Sequence, residues 1–354
     1  MGAVVSGNVP LETPAFIYDE AGIARLLGKA TEIRDASGCR LLFAVKSFCF
    51  RDVLELMAPH LDGFAVSSLF EAMLARSVLG DRGTVHFTAP GLRHQDAADL
   101  GQLCDHVAFN SVNQWRTFRD TLGTQVSCGL RVNPELSFIG DPRYDPCRPS
   151  SRLGEPLATV AEVLDEPDSV SGLLLHSNCD ATDFGQLEAT VDRMRRRLGR
   201  RLEDGRLRWV NLGGGYLLED EPDGEAPDMT PLYRTLEFLQ RQCGLETIIE
   251  PGAALIRAAG YLVATVLELQ IRDGHRTALL DTTVNHMPEV FEYQYEPDVL
   301  GHRDDGEWAC TLAGCTCLAG DVFGEYRFDR PLAVGRPGGV SQHGRLHPRQ
   351  GPYV

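Results

Sequence analysis

A single lysine, Lys46, stands at the end of the apolar run Leu41-Leu-Phe-Ala-Val-Lys-Ser-Phe48. Such a run reads as a buried parallel strand, which delivers its last side chain to the open end of a barrel. A lysine placed there is desolvated, its pKa falls, and its amine can form a Schiff base with an aldehyde cofactor. Taken alone, the same lysine is an ordinary strand-end residue solvated on its flexible stem. Its company argues otherwise. Asn211-Leu-Gly-Gly-Gly-Tyr216 follows the apolar Arg208–Leu212. Gly213, Gly214 and Gly215 after a strand let backbone amides approach a phosphate, although a tight turn asks for the same residues. Glu250, in Ile249-Glu-Pro-Gly252, is held by a rigid Pro-Gly turn. A carboxylate fixed there can pair with a protonated pyridine nitrogen and strengthen that ring as an electron sink; a surface glutamate at a turn is the commoner case. His176 closes the apolar Gly172–Leu175, where an imidazole either stacks on a flat ring or sits satisfied in a core. Cys315-Thr-Cys-Leu-Ala-Gly-Asp321 puts thiols near a carboxylate, a pairing able to supply a proton and grip an amine. Cys-x-Cys also occurs at metal sites, but no second pair has metal-ligand spacing, so no metal is expected.

Short apolar runs alternate with amphipathic segments over most of the chain. Leu41–Val45, Gly63–Val66, Thr84–Phe87, His106–Phe109, Ser127–Val132, Gly172–Leu175, Arg208–Leu212 and Thr247–Ile249 read as strands. Leu69–Val78, Gln114–Leu122, Leu187–Leu198 and Met229–Cys243 read as helices between them. About eight such units over roughly 220 residues fit a (β/α)8 barrel of the TIM type, with a doubly wound open sheet as the alternative. From about Tyr261 the pattern becomes β-rich, with strands at Tyr261–Leu269, Arg276–Leu280 and Trp308–Leu312. The expected architecture is an α/β barrel over 25–262 and a C-terminal β-sheet domain over 263–335, which the strand Ala15–Tyr18 of an N-terminal segment, 1–24, joins.

The chain has 354 residues, 43% of them hydrophobic, and a net charge of −16. That size supports a large core and two domains. The acidic balance argues against nucleic acid and suits a cationic substrate. No apolar stretch approaches about 18 residues, so no membrane span is expected. Residues 1–15 show no basic segment followed by an apolar run. The ten irregularly spaced cysteines are therefore expected as reduced thiols in the cytoplasm.

From Thr13 to Gly335 the order of these segments resembles the fold-type III PLP-dependent decarboxylases, and within them the carboxynorspermidine decarboxylase group. The resemblance runs through Thr13-Pro-Ala-Phe-Ile-Tyr-Asp19, Ala44-Val-Lys46, Ser67-Ser68, Phe109-Asn-Ser111 and Arg131-Val-Asn-Pro-Glu135. It continues through the glycine triplet, Glu250-Pro-Gly252 and Gly324-Glu-Tyr326. Glycine triplets and Glu-Pro-Gly are widespread in the superfamily. Pro146-Cys147 followed by Ser151-Arg-Leu-Gly154, with His286-Met-Pro288 and Thr316-Cys-Leu-Ala-Gly-Asp321, is far narrower and separates this group from diaminopimelate and ornithine decarboxylases.

The resemblance implies pyridoxal 5'-phosphate on Lys46 and His176 stacked on its ring. It implies Gly213 to Gly215 at the phosphate, and Glu250, with Gly252 in the same motif, at the ring nitrogen. Cys317 is implied as the acid that reprotonates the carbanion after CO2 leaves. In the family it reaches the partner subunit's cofactor, so a homodimer with shared active sites is implied. Arg152, His286 and Asp321 are implied as substrate contacts. The implied reaction is decarboxylation of a carboxylated polyamine such as carboxynorspermidine or carboxyspermidine. Decarboxylation of another basic amino acid is the alternative, as is a PLP-binding homologue without turnover. A racemase can use the same barrel, but the motif containing Cys317 and Asp321 argues against it.

The chain departs from that pattern at three places. Gly314-Cys-Thr-Cys317 replaces Gly-Pro-Thr-Cys, and His176-Ser-Asn-Cys-Asp180 replaces His-x-Leu-Cys-Glu. After Gly335 the resemblance calls for a strand and then a Met-x-x-Tyr-Thr segment. Residues 336–354 instead have no acidic residue, little apolar content and no strand period. They read as a disordered basic tail, or as the product of a frameshift near Gly335. Read one base out of frame from Gly338, the degenerate code permits Val-Val-Phe-Arg-Asn-Met-Gly-Ala-Tyr-Thr, the segment the resemblance calls for. An altered end of this kind is expected to weaken cofactor retention, dimerisation and turnover.

Overall fold

The computed structural model describes residues 12–218 and 226–341, and the chain divides into two units, residues 24–256 and residues 1–23 with 257–354. A short strand, β1 (Ala15–Tyr18), precedes the barrel strands β2 (Arg40–Ala44), β3 (Gly63–Val66), β4 (Thr84–Phe87), β5 (His106–Phe109) and β6 (Ser127–Asn133). The two-residue β7 (Glu155–Pro156) pairs parallel with the end of β6, and β8 (Gly172–Leu175), β9 (Trp209–Asn211) and β10 (Glu246–Ile249) complete the set.

Eight of these strands are parallel and close on themselves. β5 pairs with both β4 and β6, and β10 pairs with β9 and β2. That ring excludes the open doubly wound sheet. Gly63–Val66 and Gly172–Leu175 are buried at every position, as strands covered on both faces must be. Inside, Leu42, Ala65, Ala108, Leu174, Trp209 and Ile248 pack together. The indole fills the space that Gly172 leaves, since a Cβ on Gly172 would lie 1.9 Å from the Trp209 ring.

Helices cross between the strands as the periodicity predicts, and their starts explain two of the sequence segments. Ser68 caps the helix Leu69–Leu79 by accepting from the Glu71 N–H at 3.2 Å, while Glu71 accepts from the Ser67 N–H at 2.7 Å. Ser111 and Gln114 repeat this reciprocal arrangement at the helix Val112–Leu122. The segment Met229–Cys243, expected as one helix, is regular only over Thr230–Glu237 and widens to a π-type turn over Phe238–Gln242.

The other unit is a six-stranded sheet. It contains β1 with β11 (Gly260–Arg272), β12 (His275–Leu280), β13 (Trp308–Ala313), β14 (Val322–Phe328) and β15 (Pro337–Ser341). β1 and β15 both pair antiparallel with the first half of β11, and β12 pairs with its second half. Leu262, Ala264, Val266, Leu280, Phe323 and Tyr326 are among the residues of its core. Two elements differ from the sequence reading. β14 had not been expected, although Phe323, Tyr326 and Phe328 all reach the core. Pro337–Ser341 lies in the stretch read as having no strand period, yet it forms a ladder with Tyr261–Thr265. Backbone groups make that ladder, and Pro337 stands at its first position, where a missing N–H is tolerated. The rest of the tail, 342–354, lies outside the described residues.

Candidate active site

The C-terminal ends of the barrel strands surround a cavity of about 400 Å3, with Lys46, Arg131, Arg152, His176 and Glu250 in its wall. This is the face where parallel barrels assemble reactive groups from separate strands. β2 ends at Ala44, and a tight turn, Val45–Ser47, carries Lys46 off the strand end. The side chain is exposed. The turn lifts it into open cavity space instead of leaving it among the strand's apolar neighbours.

His176 follows β8 directly. Its Nδ1 accepts a hydrogen bond from the Gly214 N–H at 3.2 Å, which leaves Nε2 to carry the ring proton. Burial drives its pKa well below the usual histidine range, and the positive charges of Lys46 and Arg131 push in the same direction. The imidazole is therefore neutral.

Glu250 follows β10. Burial raises its pKa above the usual carboxylate range, against the opposing effects of Asn211, Lys46 and Arg131. The Asn211 amide donates to the Glu250 carboxylate, while its oxygen accepts from the Gly213 N–H at 2.8 Å. The Glu250 N–H in turn donates to the Gly213 carbonyl at 2.8 Å. One carboxamide thus ties the glycine loop to the acid.

The three glycines are demanded by convergence of strand ends. A Cβ on Gly213, Gly214 or Gly215 would lie 2.3, 2.3 or 2.1 Å from the carbonyl oxygens of Leu175, Glu250 and Asn178 respectively. Gly213 and Gly215 also have φ of +72° and +88°, which glycine adopts without strain. Gly252 abuts the turn that holds Lys46, with Ser47 Oγ 2.9 Å from where its Cβ would lie.

Lys46, Arg152, His176 and Glu250 are therefore brought together, with the glycine triplet behind the imidazole. Cys317, Asp321 and His286 belong to the sheet unit. Cys317 is exposed in the loop between β13 and β14. Asp321 is 3% exposed, and its carboxylate accepts from the Val284 N–H, the Thr316 N–H and the Thr316 hydroxyl at 2.8, 3.1 and 2.6 Å. Burial alone would raise its pKa, but those bonds outweigh it and hold the pKa below the usual value. His286 is exposed, with Nδ1 2.8 Å from the Thr282 hydroxyl. Cys315, which stands where the resemblance calls for proline, donates its N–H to the Thr282 carbonyl at 2.9 Å, a bond proline lacks.

Sequence reasoning missed two site residues. Arg131 projects from β6, is 9% exposed and carries an Nη2 3.5 Å from the His176 carbonyl. Asn211 is the linchpin between Gly213 and Glu250. For Arg131 the signal was present: it is a lone cation in a buried strand, the same feature that singled out Lys46.

A family profile, the pyridoxal-dependent decarboxylase C-terminal sheet domain, matches residues 15–337. The chain is 35% identical over 330 residues to a carboxyaminopropylagmatine decarboxylase of Synechocystis, covering 92% of this chain and 82% of that protein. It is 31% identical over 332 residues to a carboxynorspermidine/carboxyspermidine decarboxylase of Herminiimonas arsenicoxydans, covering 92% and 86%. The crystal structure of a carboxynorspermidine decarboxylase from Campylobacter jejuni, complexed with norspermidine, superposes with a TM-score of 0.83 at 28% identity, covering 94% of this chain and 88% of that one.

Proposed function

Because the chain belongs to the pyridoxal-dependent decarboxylase family, we propose that it is a PLP-dependent carboxy-lyase acting on a carboxylated polyamine in polyamine biosynthesis. The observation that carries this reading is one cavity holding a reachable amine, a neutral imidazole and a buried acid, at Lys46, His176 and Glu250. These are the groups needed to hold an aldehyde-bearing aromatic cofactor. When bound, pyridoxal phosphate supplies the electron sink that stabilises the carbanion left by CO2 loss.

The chain's own residues do the rest. Lys46, exposed on the turn after β2, would hold the cofactor through Nζ. His176, neutral and fixed by Gly214, would pack against the ring without adding charge. Gly213 to Gly215 would offer backbone to the phosphate, and Glu250, with Gly252 against the Ser47 turn in the same motif, would pair with the ring nitrogen. Arg131 sets the charge around Glu250. Cys317 delivers the proton that replaces CO2, on a loop that Asp321 braces through Thr316 and Val284. Arg152 and His286 contact the substrate. In this reading the enzyme is a cytoplasmic homodimer, in which Cys317 serves the partner's cavity. Exposed Phe70 and Met73 on the barrel unit and Phe291 and Leu318 on the sheet unit supply apolar surface for such a dimer.

Purified protein loaded with pyridoxal phosphate should release CO2 from carboxynorspermidine, carboxyspermidine or carboxyaminopropylagmatine, with the matching amine as product. Release from diaminopimelate alone would overturn the polyamine assignment. The tail supports a second reading, a cofactor-binding homologue without turnover. Full cofactor absorbance with no CO2 from any of these compounds would establish that one. Coding DNA that spells the Met-x-x-Tyr-Thr segment one base out of frame would explain it.

A further inference from the structure

The barrel interior holds a polar pair that the proposed reaction leaves unused. His86 on β4 and His106 on β5 are register partners, with rings stacked 4.1 Å apart and 7° from parallel. His106 also meets the Trp209 ring edge-on at 5.3 Å. His86 is 5% exposed, and its Nε2 lies 2.9 Å from the Thr84 hydroxyl, which itself donates to the Asp62 carbonyl at 3.4 Å. With the hydroxyl proton directed at Asp62, the ring proton of His86 lies on Nε2, and its Nδ1 is a bare acceptor.

The Nδ1 atoms of both histidines are buried and have no hydrogen-bond partner among the described residues. Native interiors rarely leave such atoms unsatisfied. Beside the two histidines is a space of about 10 Å3, with His86, His106, Thr88, Asn211 and Glu250 among the residues of its wall. That is about the room one water centre requires, and the wall offers more than the two polar partners a buried water needs. Burial keeps both imidazoles neutral, with the His106 pKa lowered to about 4. The charges that act on the pair are Arg40, itself ion-paired with Glu246, and Asp105.

We propose that this space binds a single water, which accepts from His106 Nδ1–H and donates one hydrogen to His86 Nδ1 and the other to the Glu250 carboxylate. His86 and His106 are then positioning residues that keep Glu250 ionised and aimed at a cationic ring nitrogen. The inference rests on the assignment of Glu250 to that nitrogen.

The test compares binding of pyridoxal phosphate with that of its 1-deaza analogue, in which carbon replaces the ring nitrogen. Titration of the cofactor-free protein should show wild type preferring pyridoxal phosphate, and Glu250→Gln should abolish the preference. If wild type shows no preference, the assignment of Glu250 itself fails, and the water relay with it. With the preference present, His86→Phe keeps the stack and removes the acceptor. It should weaken pyridoxal phosphate binding up to about tenfold, the upper end of the net worth of one neutral hydrogen bond, and leave the analogue unchanged. His86→Gln, whose amide oxygen still accepts, should restore most of the preference. His106→Phe should move it in the same direction as His86→Phe, and it carries the test if the latter does not fold. Equal weakening of both ligands by these variants, or no weakening of either, overturns the proposal. So does a high-resolution crystal structure with no water between His86 and Glu250.

Discussion

Replacing Asn211 by leucine removes both jobs of its carboxamide while keeping its branched heavy-atom skeleton, and their different pH dependence separates them. The first job is pH-independent. The buried Gly213 N–H loses its acceptor at 2.8 Å, and an orphaned buried donor costs about 1–3 kcal/mol. The second depends on pH, because the Asn211 amide donates to Glu250, and a bond to an ionised carboxylate is worth about 1.5–3 kcal/mol. Burial has already raised the folded-state pKa of Glu250 above its ordinary 4.5. Stability from such a group is fully present below the ordinary value and is lost as pH rises through the folded value. Asn211 opposes that shift, so Asn211→Leu moves the folded pKa further up and enlarges the loss. Calorimetry of the cofactor-free chain between pH 4 and pH 8 should therefore show a variant destabilised at every pH, by a margin that grows as pH rises and then levels. Adding Glu250→Gln should remove the growth and leave the constant part. A margin that is flat across pH, or that shrinks as pH rises, would refute the argument.

Gly172→Ala places a methyl 1.9 Å from the Trp209 ring, and overpacking of this kind should cost about 1–3 kcal/mol or more by chemical unfolding. Cys315→Pro removes the N–H that donates to Thr282, and should cost about 1 kcal/mol by the same assay without altering cofactor binding. Lys46→Ala and Cys317→Ala should each abolish decarboxylation. If the sites are shared, unfolding and refolding the two together should recover about a quarter of full activity, because half the dimers are mixed and each has one intact site. No recovery despite dimers on light scattering would place Cys317 in its own subunit's site.

Much of the fold was legible because parallel barrel strands are apolar throughout and end at turn residues. Gly63–Val66, Thr84–Phe87, His106–Phe109 and Gly172–Leu175 were read to the residue. β14 was missed because Gly324, Glu325 and Arg327 break up its apolar signal. β15 was missed because its pairing is a backbone event, with no side-chain period to betray it. The wide turn at Phe238–Gln242 left the helical spacing intact and so left no mark.

The sequence by itself determined which chemistries were at hand. A lysine at the end of an apolar strand, an acid before Pro-Gly, a histidine at a strand end and a glycine triplet are properties of residue type and order. Tertiary structure decided what each is for. Strand ends far apart in the chain converge on one rim, so the carbonyls of Leu175, Glu250 and Asn178 exclude any side chain at the triplet. The same convergence sets the protonation of the site. Whether Glu250 holds a proton or His176 carries a charge depends on burial and on Lys46 and Arg131 nearby, which no local stretch of sequence encodes. Asn211 belongs wholly to that second level. It stands in the chain as an ordinary polar residue at a strand end, and only the meeting of β9 with β10 makes it the link between loop and acid.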